Sequence, residues 1–171
     1  EDGAVGIMFE NRLLRIALRE AALAAPKVTL LMPARPAEVR RDATRAEVVL
    51  ADGRMVRGAL LIGAEGRRSP TREAAGIRVA QWRYDHAAII GSVRHERPHE
   101  GVAHEIFYPA GPFAILPLPD DAEGRHRSAI VWTVKESDAP AMLGLGPRAF
   151  AAEAEKKMGG LLGALELASP L

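Results

Sequence analysis

Between Asn11 and Ala25 the apolar positions Leu14, Ala17, Leu18, Ala21 and Ala25 recur every three or four residues, the period of a helix with one apolar stripe. Asn11 stands where a side-chain cap would start that helix, and Pro26, lacking an N–H, where it would stop. From residue 27 to 62 the period shortens. The runs "KVTLLM", "AEVRR", "AEVVL" and "MVRGALLIG" have strand length, and Asp52-Gly53 falls where a tight hairpin wants positive φ, so a small antiparallel meander is predicted. Ser69 then reads as an N-cap, Pro70 as a first helical residue and Gly76 as the left-handed stop of a short helix "TREAA". The stretch "LLIGAEGRRSP", residues 60–70, is thus predicted to run strand, turn, helix start.

Beyond Ile77 the strand pattern returns in "HAAIIGSVRHE", "VAHEIFYP", "FAILPLP" and "SAIVWTVK", separated by "RPHEG", "PAGP" and "DDAEGRHR". Several of these connections are too short for crossover helices, which favours an antiparallel sheet. "PRAFAAEAEKKMG", residues 147–159, is predicted helical, with Pro147 near its start and Lys156 and Lys157 in the last turn, where they suit the macrodipole. The fold class expected is α+β, with helices packed on one face of a mixed or antiparallel sheet.

Composition narrows the chemistry only a little. The 171 residues suffice for a core, and the formal charge of +1 gives no reason to expect nucleic acid. The absence of cysteine removes disulfides, thiolate metal sites and cysteine nucleophiles. Neither a membrane-spanning run nor a signal peptide is visible, so a cytoplasmic location is the default.

The candidate constellations are individually weak. A strand entering Gly63-Ala64-Glu65-Gly66 before a helix can aim backbone N–H groups at an anion, but it is neither a dinucleotide fingerprint nor a P-loop. "HERPHEGVAHE" interleaves His95, His99 and His104 with Glu96, Glu100 and Glu105. A divalent metal is conceivable there; a solvated, ion-paired rim is favoured, because Pro98 breaks any helix that would align His95 with His99. "PAGP" at 109–112 is either a pocket wall or an ordinary proline hairpin. No elbow or local base activates Ser69 or Ser92, and Trp82 and Trp132 read as core or pocket wall.

Taken in order, "ENRLLRIAL", "LLIGAEGRRSPTREAAGI", "YDHAAIIGSVRHERPHEGVAHEIFYPAGPFAILPLP" and "SAIVWT" resemble the middle of the p-hydroxybenzoate hydroxylase-like aromatic-ring flavoprotein hydroxylases, in the ubiquinone-biosynthesis branch. The resemblance runs from Glu10 to about residue 163 and implies a piece of a larger enzyme. It divides the chain into residues 1–78, part of an FAD-binding domain, and 79–171, a substrate-binding domain. It implies cofactor contacts from Arg12, Gly63, Glu65, Gly66, Ser69 and Arg72, with Glu65 standing where relatives favour Asp. It implies a substrate wall at Phe107, Pro109, Gly111 and Pro112, and no catalytic side chain or metal. The activity implied is FAD- and NAD(P)H-dependent hydroxylation of a polyprenyl phenol with O₂, absent from the isolated piece and compatible with peripheral attachment to the inner membrane or to a quinone-biosynthesis complex. Two alternatives stand beside it: a self-contained binding domain, and a related hydroxylase or halogenase for another aromatic.

Overall fold

In the computed structural model, which describes residues 6–170, the first helix, α1, spans Asn11–Ala24. Glu10, not Asn11, holds the cap position, since its carbonyl accepts from the N–H groups of Leu13 and Leu14 at 3.0 and 3.1 Å. The chain divides into two units. One is Arg15–Trp82; the other joins the segment up to Leu14 to everything from Arg83 onward.

In the Arg15–Trp82 unit, β1 (Pro36–Arg41), β2 (Ala46–Leu50) and β3 (Met55–Gly58) form an antiparallel sheet in that order. Asp52-Gly53 makes the expected β2–β3 turn, with Gly53 at φ 86° and Leu50 N–H donating to the Arg54 carbonyl at 2.8 Å. The meander is narrower than predicted. Neither the run 27–32 nor 59–63 is a strand, and Val28, Met32, Leu60 and Ile62 are exposed. The short helix α2 (Pro70–Ala74) follows the predicted Ser69 cap. It ends in a Schellman arrangement, with Gly76 N–H donating to the Glu73 carbonyl at 2.9 Å and Ile77 N–H to that of Arg72 at 3.3 Å.

In the other unit, β4 (His86–His95), β5 (His104–Tyr108), β6 (Gly111–Leu118), β7 (Arg127–Lys135) and β8 (Leu165–Leu167) pair in the order β5-β6-β7-β4-β8. Every pairing is antiparallel. β4 and β5 are not neighbours, so the histidine-rich segment between them crosses the end of the sheet and is no hairpin.

Helices α3 (Ala139–Leu143) and α4 (Pro147–Met158) supply the second layer. α4 turns Phe150, Ala154 and Met158 onto Phe113, Ile115, Ile130 and Trp132, forming one buried cluster that also takes in Ala139 of α3. The rings of Phe113 and Phe150 lie 5.4 and 5.7 Å from that of Trp132. Trp82, by contrast, is 73% exposed and belongs to neither a core nor an enclosed wall. This layered arrangement of helices and antiparallel sheets is the α+β class expected.

Candidate functional site

The turn from Gly63 to Arg72 is built by side chains reaching back over their own backbone. Ser69, extended at φ −76° and ψ 109°, accepts the Arg72 N–H at 3.1 Å through its hydroxyl oxygen, and Pro70 fits the first helical position. The Glu65 carboxylate accepts from the Ser69 hydroxyl with Oε2 and from the Thr71 hydroxyl at 2.5 Å with Oε1. These bonds, that from Ser69 foremost, hold the Glu65 carboxyl below its ordinary range. A Cβ on Gly63 would lie 3.2 Å from both Glu65 Oε2 and Thr71 Cγ2, so the glycine makes room for the fold-back. Arg72 Nη2 donates to the Arg67 carbonyl at 2.9 Å, while its buried Nε has no partner among the described residues.

Gly63, Glu65, Ser69 and Arg72, proposed from sequence as one motif, are therefore brought together, and Gly66 sits at the open tip with nothing near its missing Cβ. Thr71 was overlooked in the sequence. A second hydroxyl two residues after Ser69 was the available signal. Arg12 lies near the start of α1, on a helix with no buried residue.

The second group lies on the five-stranded sheet. Pairing of Ile106 with Phe113, Phe113 with Trp132 and Ile89 with Trp132 sets one row of side chains against the helices. The alternate residues then point the other way. Phe107 opposite Pro112, and Ala114 beside Val131 and Ile90, give that other face an apolar patch across four strands, bordered by Glu105 opposite Ala114. Phe107 is 79% exposed and Ile90 64%. Pro109 and Ala110 form the two-residue loop between β5 and β6, so Phe107, Pro109, Gly111 and Pro112 occupy one hairpin. Ile90, Ala114 and Val131, missed in the sequence, follow from strand alternation once the register is known.

The histidine segment is less solvated than expected. Glu96, Glu100 and Glu105 are exposed, but His95 is 7% exposed, on the same side of β4 as the buried Val93. Its Nδ1 faces the Arg97 carbonyl at 2.7 Å and must donate, leaving Nε2 to accept from the buried Ser128 hydroxyl at 3.0 Å. His99 likewise donates from Nε2 to the Leu118 carbonyl and accepts the Gly101 N–H at Nδ1, each at 3.0 Å. The His99 and His126 rings lie 5.8 and 6.0 Å from that of His95. These rings tie the β4–β5 crossover to the end of β6.

Burial, more than the neighbouring imidazoles, pushes the His95 pKa below the ordinary histidine range, against backbone hydrogen bonds that oppose the shift. A group that binds its proton less readily folded than unfolded stabilises the native state above its unfolded pKa, and that contribution is lost as the pH falls below it. Denaturant unfolding from pH 8 to pH 5 is therefore expected to show stability falling below about pH 6.5, with a shallower fall in His95→Gln. Identical slopes in the two proteins would refute this.

No family model matches the chain. Over 161 residues it is 46% identical to the ubiquinone hydroxylase UbiL of Rhodospirillum rubrum, an alignment covering 94% of this chain and 36% of that protein. It is 36% identical over 139 residues to the 3-demethoxyubiquinol 3-hydroxylase of Escherichia coli, covering 81% of this chain and 33% of the relative. The solved structure of the Diels-Alderase PyrE3, from the pyrroindomycin biosynthetic pathway, superposes with a TM-score of 0.53 over 90% of this chain and 33% of its own, at 21% identity, a likeness of fold alone. The chain spans about a third of the length of these curated relatives.

These matches place the chain among the homologues of hydroxylases. More narrowly, it is homologous to one part of the ubiquinone-biosynthesis hydroxylases. Among the described residues no helix is long and apolar enough to cross a membrane.

Proposed function

We propose that this chain is the part of an FAD- and NAD(P)H-dependent monooxygenase that carries the central nucleotide turn and the substrate sheet, and that the whole enzyme hydroxylates a polyprenyl phenol in ubiquinone biosynthesis. The observation carrying this reading is the 46% identity to the ubiquinone hydroxylase over nearly the whole chain. The division at residues 78 and 79 then separates the flavin part from the substrate part.

The residues fit such a cofactor. Gly66 leaves its backbone uncovered, and Arg67 and Arg68 are exposed cations on the same turn. On this reading the turn, with Gly63, Gly66, Ser69 and Arg72 and with Glu65 fixing its shape, carries contacts to the nucleotide side of the flavin, and Arg12 on α1 is a cofactor contact of the other unit. The flavin supplies the electron transfer and oxygen chemistry that side chains cannot. What the chain contributes is a surface. Phe107, Pro109, Gly111 and Pro112, extended by Ile90 and Val131, present apolar atoms to a phenolic ring and its prenyl tail, with the Glu105 carboxylate at the border of the patch, and exclude water from the reacting face. O₂ needs no charged site. A greasy substrate suits an enzyme working peripherally on the inner membrane or within a quinone-biosynthesis complex, from the cytoplasmic side.

The test is replacement of the matching segment of the Rhodospirillum rubrum hydroxylase by this chain. The chimera is expected to bind FAD and restore ubiquinone in a strain lacking that hydroxylase, and Phe107→Asp in the chimera is expected to lower hydroxylation at least tenfold, a desolvation penalty of about 1.4 kcal/mol or more. A folded, FAD-loaded chimera that forms no hydroxylated product would overturn the proposal.

A further inference from the structure

The extra methylene of Glu65, relative to the Asp favoured in the resembling motif, has a partner in this chain. Oε2 takes the hydroxyl of Ser69, the cap of α2, and Oε1 takes that of Thr71, the second residue of the same helix, at 2.5 Å. Gly63 fits beneath both, with 3.2 Å between its added Cβ and either Glu65 Oε2 or Thr71 Cγ2. A shorter carboxylate would have to span the same two hydroxyls from about 1.5 Å further back. Both oxygens are engaged inside the turn.

We infer that Glu65 is a positioning residue: its carboxylate clamps Ser69 and Thr71 to fix the turn 63–72, and it is not itself the group that meets a bound nucleotide. Thr71 is the second half of that clamp. The inference refines the proposed nucleotide turn and rests on that reading only for its functional meaning, because the clamp is a property of the free chain. Its consequence is a coupled pair: removal of the Thr71 hydroxyl and shortening of Glu65 to Asp should have overlapping, not additive, effects.

The hydroxyl bonds stabilise the ionised carboxylate, so the clamp has a titration signature. Carboxyl-carbon NMR of the full chain, without any nucleotide, is expected to show Glu65 titrating lower in the parent than in Thr71→Val, and back at the parent position in Thr71→Ser, which restores the hydroxyl. Amide exchange at Arg72 is expected to quicken in Glu65→Asp and in Thr71→Val, with little further change in the double variant. A carboxylate turned to solvent to await a ligand would titrate alike in all three Thr71 forms. That outcome, or additive exchange effects in folded variants, would overturn the inference. FAD binding by the chimera does not enter this experiment, so failure of the clamp and failure of the flavin reading are separately visible.

Discussion

Phe150→Ala is expected to destabilise the fold by about 3–5 kcal/mol, the range for truncating a fully buried aromatic. The ring has no solvent exposure and meets Trp132, which itself meets Phe113, so it joins α4 to the middle of the sheet. The cavity cannot readily close. Trp132 and Phe113 sit opposite each other on β7 and β6, and Ile89 of β4 lies on the far side of Trp132, so ladder hydrogen bonds hold the cavity floor in register. α4 is held at its far end by Ala154, Met158 and the Tyr108 hydroxyl, which donates to the Lys157 carbonyl, but near Phe150 its Gly146 cap offers no side-chain bond, and helices of this length are marginal without packing. β8 packs against α4 and should loosen with it. Urea unfolding followed by tryptophan emission is the measurement. A loss below about 1 kcal/mol, the scale of Ile→Val at such a position, would mean that the cluster is not what holds α4.

The features legible in the sequence were those set by neighbours along the chain. The Ser69-Pro70 start and Gly76 end of α2 and the Asp52-Gly53 turn depend on residues two or three positions apart, and each was read correctly. What failed depended on a second segment. A strand is a relation between two stretches of backbone, and the apolar runs 27–32 and 59–63 have strand composition but gain no ladder partner among the described residues. The same holds for "HERPHEGVAHE": strands form on either side of "RPHEG" as predicted, but the insertion of β7 and β6 between β4 and β5 leaves no local mark. His95 was a different failure. Its parity with Ile89, Gly91 and Val93 put it on the buried side of β4, but the charges beside it suggested a rim.

For the candidate site the limits were similar. The turn residues were recognised as a motif, yet that Glu65 folds back onto Thr71 required side-chain geometry. The hairpin Phe107–Pro112 was found from its prolines. The rest of the apolar face, on β4 and β7, became readable only through the register that sets Ala114 beside Val131 and Val131 beside Ile90.

Gly111→Ala is expected to cost about 2–4 kcal/mol, summing backbone strain with a steric overlap. Gly111 opens β6 at φ 126°, a region that L side chains rarely enter, and an added Cβ would lie 2.7 Å from Thr133 Cγ2 and 3.0 Å from its Cβ. Thr133 cannot swing away freely, because β7 is held between β6 and β4 and its β-branched side chain has few rotamers. Gly53→Ala is the control for strain alone: φ is 86° there but nothing lies within 4 Å of the new methyl, so a cost of about 1–2 kcal/mol is expected. Adding Thr133→Ala to Gly111→Ala removes the Cγ2 overlap and should recover part of the difference, whereas Thr133→Ala added to Gly53→Ala should recover nothing. If Gly111→Ala and Gly53→Ala cost the same in urea unfolding, the close approach of the hairpin to β7 is wrong. If they differ as stated, the glycine is what lets the β5–β6 hairpin lie flat on β7. That flatness keeps Phe107 and Pro112 in one surface with Val131 and Ile90, so in the hydroxylase chimera the same substitution should lower hydroxylation more than it lowers FAD content.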